Sequence, residues 1–439
     1  MTVPADRPVP VGAGDGRGPA RPAADPAPER AFGHRRPAWP ARRWAMLVVV
    51  LVFASDFEFR RRSSTEALSG SVDAAIAVEL ACYLGVGVLL FLVVARPPRA
   101  AGRPLPSPLT AMWALVGMLG VSSLWAPTPM LGLARTMQLV VVAALVTSIA
   151  RHGPPGVFHV VAHAYTALVS LGVALGVVFR RPPELQLSGR FLWLYGHPVV
   201  SGSLLAVSVT LLAAWLVDPA LPRSFPRRAY APLLAVHGLA LLATETRGSV
   251  LAAVAGLAVL GWLASSPGRR LDLTLLSMVG VPAALGLAWP LLRSFALRGE
   301  SAEQLRGLNS RAELWTEAMR ALSSNPLFGR GYFSSRQIFL DSIGLGGAHN
   351  AYLEVAISAG LAGTILLAVL LVQLAHQLVR AGRHPDRPVV AAVTVTLLVN
   401  GFTAQYFSQS GTGANVLFLL VCAWAATLRR RDRSRPQPG

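Results

Sequence analysis

The side chains best suited to chemistry are four arginines, one glutamate and one histidine at or near the ends of long apolar runs. They are Arg135, Arg190, Glu245, Arg247, Arg311 and His349. Several guanidinium groups gathered on one side of a membrane suit an anionic ligand such as a phosphate or diphosphate, although binding of a carboxylate or a lipid headgroup fits equally well. Ionisable residues next to lipid are costly, so these positions indicate a function.

Three of these arginines also have a structural explanation. Arg135 lies about one turn inside an apolar run, where its side chain could snorkel to the membrane surface. Arg247 lies in a tight hairpin beside Glu245, and a local ion pair between them could fix that turn. Arg311 falls in the first turn of a predicted helix, an unfavourable place for a cation, which favours a compensating anion nearby.

His349 and Asn350 stand in the stretch GAHNAYLEVAISAG, directly before an apolar run. Both residues are candidates for capping the helix that follows, and Asn350 alone is able to do so. Capping therefore accounts for Asn350 as a supporting residue and leaves the imidazole of His349 available for another role.

Metal and nucleotide chemistry have little support in the sequence. His159 and His163 share a helix face but lack the acid of a zinc-protease motif, so we expect a packed pair. Cys82 and Cys422 both lie inside apolar runs, and we expect them to be core residues. There is no phosphate-binding loop, dinucleotide fingerprint or nucleophile elbow. We therefore expect no metal and no cofactor.

The elements that must position these residues are membrane helices. Of 439 residues, 53% are hydrophobic, and the apolar residues form about a dozen runs of membrane-spanning length. The net charge of +19 comes entirely from arginine, and most arginines lie between apolar runs, where membrane orientation explains them without nucleic-acid binding. The absence of lysine beside abundant Ala, Gly, Pro and Arg is typical of a GC-rich genome and hints at a bacterium.

The apolar runs predict an all-α fold, a polytopic membrane helical bundle of about twelve transmembrane helices with one large extracytoplasmic loop. The predicted spans are 43–57, 72–95, 109–125, 130–150, 157–179, 197–217, 229–245, 248–265, 271–295, 350–376, 389–407 and 412–428. Short arginine-rich loops then favour cytoplasmic N- and C-termini.

The predicted organisation has five parts. Residues 1–42 form a disordered basic cytoplasmic tail, 43–295 the first nine spans, 296–348 the extracytoplasmic loop, 349–428 the last three spans, and 429–439 a second basic tail. Within the loop, a capping box at Ser310 predicts an amphipathic helix that ends near Pro326.

Three blocks of residues resemble the signature of the O-antigen ligase and O-antigen polymerase superfamily. They are Ser310-Arg-Ala-Glu-Leu-Trp315, Asn325-Pro-Leu-Phe-Gly-Arg-Gly331, and His349-Asn-Ala-Tyr-Leu-Glu354 followed by Gly360-Leu-Ala-Gly363. Weaker similarities around Arg135, Arg190 and Thr244-Glu-Thr-Arg-Gly248 extend the resemblance over about residues 45–428. The chain departs from the family pattern at Ser358, where many members have an acid, and at Val199, where asparagine is usual.

The resemblance implies a metal-independent glycosyltransferase at the outer face of the cytoplasmic membrane. Its donor would be a lipid-linked oligo- or polysaccharide on polyprenyl (undecaprenyl) diphosphate, and its acceptor a hydroxyl of a glycan or glycolipid. His349 would be the catalytic base or acceptor-orienting group, while Arg190, Arg247 and Arg311 would bind the diphosphate. Arg135, Glu245 and Asn350 would support the site.

Two questions remain open at this level. The same donor serves a ligase, which attaches a finished surface polysaccharide, and a polymerase, which joins O-antigen or exopolysaccharide repeats. A transporter or flippase for an anionic lipid or solute would use the same arginines without chemistry, but it predicts broken helices and an inverted repeat, neither of which is clear in the sequence. A non-catalytic membrane scaffold is a third alternative.

Overall fold

The computed structural model describes residues 40–57, 74–94, 107–179, 190–192, 197–266, 311–343 and 347–428, with scattered residues between 268 and 293. Nearly all of the predicted N-terminal tail, the whole C-terminal tail, most of the ninth predicted span and residues 296–310 lie outside this part of the chain.

All regular elements in the described residues are helical, which confirms the predicted all-α class. A single 3-10 turn, Ser123–Trp125, follows α3. The α-helices are α1 Ala41–Asp56, α2 Ala74–Val94, α3 Ser107–Ser122, α4 Pro129–His152, α5 Val157–Val178, α6 Pro198–Val217, α7 Arg227–Ala243, α8 Arg247–Ala264, α9 Arg311–Ser324, α10 Ser334–Ile343, α11 Ala351–Arg380, α12 Arg387–Asn400 and α13 Gly413–Thr427.

Six helical segments in the described residues are long and apolar enough to cross a bilayer, and they identify a multi-pass membrane protein. They are Ser107–Trp125, Pro129–His152, Val157–Val178, Pro198–Val217, Arg247–Ala264 and Ala351–Arg380. Shorter apolar helices overlap three further predicted spans, at Ile76–Leu92, Arg387–Asn400 and Gly413–Thr427. The total of twelve spans stays a prediction.

The centre of the bundle is formed by α6 and α13, which are buried along almost their whole length. Neither helix contains a charged residue, and a helix that is apolar all round is stable where other helices cover every face. Small residues allow close packing nearby: a Cβ on Gly256 of α8 would overlap the Thr396 hydroxyl of α12. These helices therefore form the rigid support for the loops at their ends.

Helix α11 contains a break that was not predicted from the sequence. Gly360 has φ 61° and ψ −153°, which interrupts the helical hydrogen bonds. We call this interruption at Gly360 the helix break. The segment 326–331 fills it. The amides of Arg330 and Gly331 donate to the carbonyls of Ile357 (2.7 Å) and Ser358 (3.1 Å). In return, the amides of residues 361 and 362 donate to the carbonyls of residues 326 (2.8 Å) and 327 (3.1 Å).

The predicted amphipathic helix is present as α9, which begins at Arg311 and ends at Ser324. Helix α10 follows after a short connection and was not predicted from the sequence. Both helices pack on the start of α11 through a small apolar cluster, separate from the main core. Its members are Leu314, Ala318, Phe339, Ala348 and Ile357.

Candidate active site

Arg190 lies against the turn between α7 and α8, although more than fifty residues separate them in sequence. Its Nε donates to the Thr244 carbonyl (2.8 Å), and one terminal nitrogen donates to the Thr246 hydroxyl (3.3 Å). The amide of Phe191 also donates to the Ala243 carbonyl (2.8 Å). The structure therefore brings Arg190 to the turn that carries Glu245 and Arg247.

The geometry of this turn places two predicted site residues in unusual positions. Glu245 has φ 51°, a left-handed conformation that is uncommon for residues other than glycine. Arg247 is the first residue of α8, and both side chains are partly exposed. The N-terminus of a helix presents backbone amides to an anion, so a guanidinium group here reinforces the same preference.

The segment 400–405 connects this turn to the His349 region. On one side, a Cβ on Gly248 would overlap Thr403, and the Ser249 hydroxyl donates to the Asn400 side chain (2.9 Å). On the other side, a Cβ on Gly347 would overlap Gln405. The turn that carries Arg247 and the segment that carries His349 therefore both pack against segment 400–405.

His349 lies immediately before α11 at this end of the bundle. It is half-buried and has φ 48°, a second left-handed residue among the predicted site residues. The Asn350 side chain accepts from the amides of Tyr352 (2.9 Å) and Leu353 (3.1 Å), so Asn350 caps the helix. The amide of Ala351 donates to the Gly401 carbonyl (2.7 Å), which ties the segment to 400–405.

Arg135 has an ion-pair partner on a neighbouring helix. One guanidinium nitrogen lies 2.9 Å from the Glu79 carboxylate on α2 and donates to the Gln138 side chain at the same distance. Its guanidinium carbon also lies 5.3 Å from the centre of the Phe333 ring. These contacts give Arg135 a role in joining α2, α4 and the segment before α10.

Arg311 begins α9, but its side chain lies outside the described part of the structure. The predicted contact between Arg311 and a diphosphate therefore stays a prediction. The helix that carries it packs against α11 through Leu314 and Ala318.

Glu354 ends the block that begins at His349, and the sequence did not indicate a role for it. Its side chain is buried, with 6% of the residue surface exposed. One carboxylate oxygen accepts from the Ala348 amide (2.7 Å), and the other accepts from the Ser335 hydroxyl. The signal that could have identified it is an acidic residue inside an apolar run, five positions after His349.

An apolar groove opens beside the helix break, with a volume of about 560 Å³. The rings of Trp125 and Phe328 meet edge to face across it at 6.3 Å. Arg330, whose side chain donates to the Ser324 hydroxyl (3.3 Å), lies at its edge. The remaining walls come mainly from α3 and the 325–330 segment, with Met118, Val121, Pro127, Asn325 and Gly329.

The opposite end of the bundle contains the two histidines that were expected to be packed. His159 Nε2 lies 2.9 Å from an Asp386 oxygen, and the Trp424 indole donates to the other oxygen (3.2 Å). His163 stacks on Trp215 and hydrogen-bonds the Tyr230 hydroxyl. No group of His, Cys, Asp and Glu that could hold a metal ion occurs among the described residues.

The Asp386 carboxylate is tuned by these contacts. Burial raises its pKa, but the hydrogen bonds from His159 and Trp424 act in the opposite direction. Together with the nearby His384, they hold the pKa of Asp386 below its ordinary value of 3.8. At this end of the molecule, a hydrogen bond between Asp386 and His159 therefore joins the α11–α12 connection to α5.

Comparison with known proteins shows similarity over part of the chain. Residues 232–368 match a family model described as O-antigen ligase, a range that includes Arg247, Arg311 and His349. An O-antigen ligase of Pseudomonas aeruginosa strain PAO1 is 30% identical over 210 residues. That alignment covers 46% of this chain and 47% of the relative, so the chain spans about half the length of the protein it matches.

Proposed function

We propose that this chain is a membrane glycosyltransferase of the O-antigen ligase superfamily, because residues 232–368 match a family model described as O-antigen ligase. It moves a glycan from a polyprenyl diphosphate carrier to a hydroxyl acceptor. The observation that carries this proposal is the convergence of the Arg247 turn and the His349 segment on residues 400–405. An anion-binding group and a proton acceptor are thereby brought to the same end of the bundle.

The proposed reaction needs both kinds of group. The acceptor oxygen attacks the anomeric carbon, its proton passes to His349, and the bond from that carbon to the diphosphate oxygen breaks. Arg190, Arg247 and Arg311 stabilise the negative charge that develops on the departing diphosphate, which makes a metal ion unnecessary. A base of this kind contributes about 10²- to 10⁴-fold, and attack opposite the leaving group inverts the anomeric centre.

The apolar groove supports a donor attached to a lipid. Its aromatic and aliphatic walls suit an isoprenoid chain, and Arg330 provides a cation at its edge. The groove is linked to the base through α11: Arg330 hydrogen-bonds Ile357, which lies eight residues after His349, or about 12 Å along a helix. A carrier seated in the groove therefore has its diphosphate within reach of the site.

The distribution of arginines supports a site on the outer face of the cytoplasmic membrane. The end opposite the site carries Arg151, Arg223, Arg227 and Arg387, at the ends of helices or in the short connections between them. Such clusters favour the cytoplasmic side. We propose that both termini are cytoplasmic and that the connection containing α9 and α10 is extracytoplasmic.

Broken helices are expected in a transporter, so the helix break has to be weighed against the alternative that this protein is a transporter or flippase. In transporters, unwound backbone groups are available to coordinate substrates or ions. Here four of those groups hydrogen-bond to the chain's own segment 326–331. The break therefore joins two parts of the protein, and we prefer transfer chemistry to transport.

The test is a transfer assay in proteoliposomes, with a polyprenyl diphosphate-linked glycan and a panel of hydroxyl acceptors, read by mass spectrometry. Wild type is expected to form product without nucleotide or added metal, while His349→Ala and Arg247→Ala form it at least about 10²-fold more slowly at equal folded yield. The acceptor used distinguishes a ligase from a polymerase. Binding of the donor without transfer to any acceptor would overturn the proposal and favour a transporter.

A further inference from the structure

We propose that Glu354 is a positioning residue, which fixes the backbone that carries His349 and so places the imidazole for proton transfer. This inference rests on the proposed function, because it concerns the same base. Glu354 itself does not touch the substrate: its two oxygens are occupied by Ala348 and Ser335 in a buried setting.

The backbone around His349 has unusual conformations. Gly347 has φ 148° and His349 has φ 48°, so both flanks of Ala348 have conformations that ordinary residues rarely adopt. Such conformations persist where the surrounding structure imposes them. A short segment with these angles needs contacts on both sides of the histidine.

Hydrogen bonds hold the segment on both sides of His349. After His349, Asn350 caps α11 and the Ala351 amide binds the Gly401 carbonyl. Before His349, the Ala348 amide donates to the Glu354 carboxylate at 2.7 Å. This hydrogen bond is shielded from water by burial, and a hydrogen bond in a low-dielectric interior is stronger than one in water. Glu354 therefore provides the upstream anchor of the segment.

Glu354 also links the His349 segment to α9 and α10. The other oxygen of Glu354 accepts from Ser335 in the first turn of α10, while the Ala348 methyl packs in the cluster that α9 and α10 form with α11. Arg336 and Gln405 line the same small polar cavity as Glu354. A displacement of α10 is thus transmitted to the residue that precedes the base.

The experiment compares two substitutions that separate the reach of the side chain from its chemical type. Glu354→Gln keeps an oxygen for the Ala348 amide and can donate its amide nitrogen to the Ser335 hydroxyl. Glu354→Asp keeps the carboxyl group but withdraws it by one carbon. If positioning is the role, the Gln variant retains most of the transfer rate and the Asp variant loses it. Misplacement of a reacting group by about 1 Å costs about 10²-fold in kcat, with the KM for the donor nearly unchanged.

A double-substitution cycle provides the second readout. A residue that acts through His349 has nothing left to act on once the imidazole is gone. The variant His349→Ala/Glu354→Asp is therefore expected to be no slower than His349→Ala alone. Hydrogen exchange should show the Ala348 amide protected in wild type and Glu354→Gln, and exposed in Glu354→Asp. Glu317→Asp, which shortens the same kind of side chain on α9 where it pairs with the exposed Arg320, is the matched control and should retain full rate.

The outcomes separate this inference from the proposed function. If Glu354→Asp transfers as fast as wild type, or if Glu354→Gln is the inactive variant, positioning by Glu354 is wrong while transfer itself stands. An added loss in the double variant also contradicts it. If wild type transfers and His349→Ala transfers equally well, the proposed base is wrong, and the inference falls with it.

Discussion

Two residues of the candidate site, His349 and Glu245, have left-handed backbone angles of 48° and 51°. Each such conformation costs about 1–3 kcal/mol for a residue with a side chain, so the surrounding contacts must offset it. At Glu245 these contacts come from Arg190 on the adjacent carbonyl and hydroxyl groups, and at His349 from Asn350 and Glu354. Arg190 and Glu354 thus help to shape the site apart from any contact with a ligand.

At the residue scale, the sequence predicted some of these roles and missed others for physical reasons. The cap at Asn350 was predictable because it depends on neighbours two and three residues away. The pairing of Arg135 with Glu79 was missed because it joins two helices, and the sequence contains no record of which helices are adjacent. The anchor role of Glu354 was missed for the same reason, since Ser335 belongs to a helix that was not predicted.

Asp386→Asn is expected to lower the free energy of unfolding by about 1–3 kcal/mol, because it removes a charged acceptor for His159 and Trp424. The pKa of Asp386 is depressed in the folded protein, so the unfolded chain takes up the proton first. The stabilisation is therefore present above the ordinary pKa of 3.8 and is lost as the pH falls below it.

Thermal unfolding in detergent at several pH values checks this expectation. The difference between wild type and Asp386→Asn should shrink as the pH falls below the ordinary carboxyl pKa. Asp218→Asn is a suitable control, because that side chain accepts from a single amide, of Ala220, near the same end. A difference that is constant across the whole pH range would contradict the assignment to ionised Asp386.

At the scale of elements, long apolar runs made the helices predictable, and the described helices overlap eleven of the predicted spans. The helix break was not predictable, because it depends on the fit between Gly360 and the backbone of a segment thirty residues earlier. A Cβ on Gly360 would overlap the Leu327 carbonyl, and a Cβ on Gly329 would overlap the backbone at Ile357 and Gly360. Glycine is common in membrane helices, so the residue type alone carries little information.

Gly360→Ala is expected to destabilise the protein by about 2–4 kcal/mol, through backbone strain at φ 61° and overlap with Leu327. Gly329→Ala should have a similar effect, since it disrupts the same junction from the other side. The measurement is thermal unfolding of the purified protein in detergent.

Gly261→Ala is the matched control for these two substitutions, because it lies within α8 and a Cβ there meets open space. It should be neutral or stabilising by about 0.5–1 kcal/mol. Equal unfolding temperatures for Gly360→Ala, Gly329→Ala and Gly261→Ala would show that the junction contributes nothing to stability.

At the scale of the whole molecule, the two ends of the bundle differ in chemistry. One end holds the candidate site and the apolar groove, while the other holds the hydrogen bonds of Asp386 to His159 and Trp424 and several arginines. The groove gives this arrangement a measurable consequence for the donor. Its occupant, if it is the isoprenoid chain, makes apolar contacts that a short-chain donor cannot make.

Val121→Trp, which narrows the groove, is expected to raise the KM for a long-chain donor about tenfold or more, since several buried methylenes lose their contacts. A short-chain analogue of the donor should show little change. Val177→Trp, on the exposed surface of α5, is the control for adding an indole elsewhere. An equal rise for both donor lengths would indicate that the groove does not hold the chain.

The helix break also has a consequence for how the protein enters the membrane during synthesis. Each unpaired backbone group in a bilayer costs roughly several kcal/mol. The broken α11 is therefore poorly suited to enter the bilayer from the translocon without a partner segment. Its partner, residues 326–331, has already been synthesised when Gly360 emerges, and only about thirty residues separate the two. A loop of this length closes at modest entropic cost. The order of the chain therefore lets the two parts pair as the ribosome completes the helix, before the last two helices have been made.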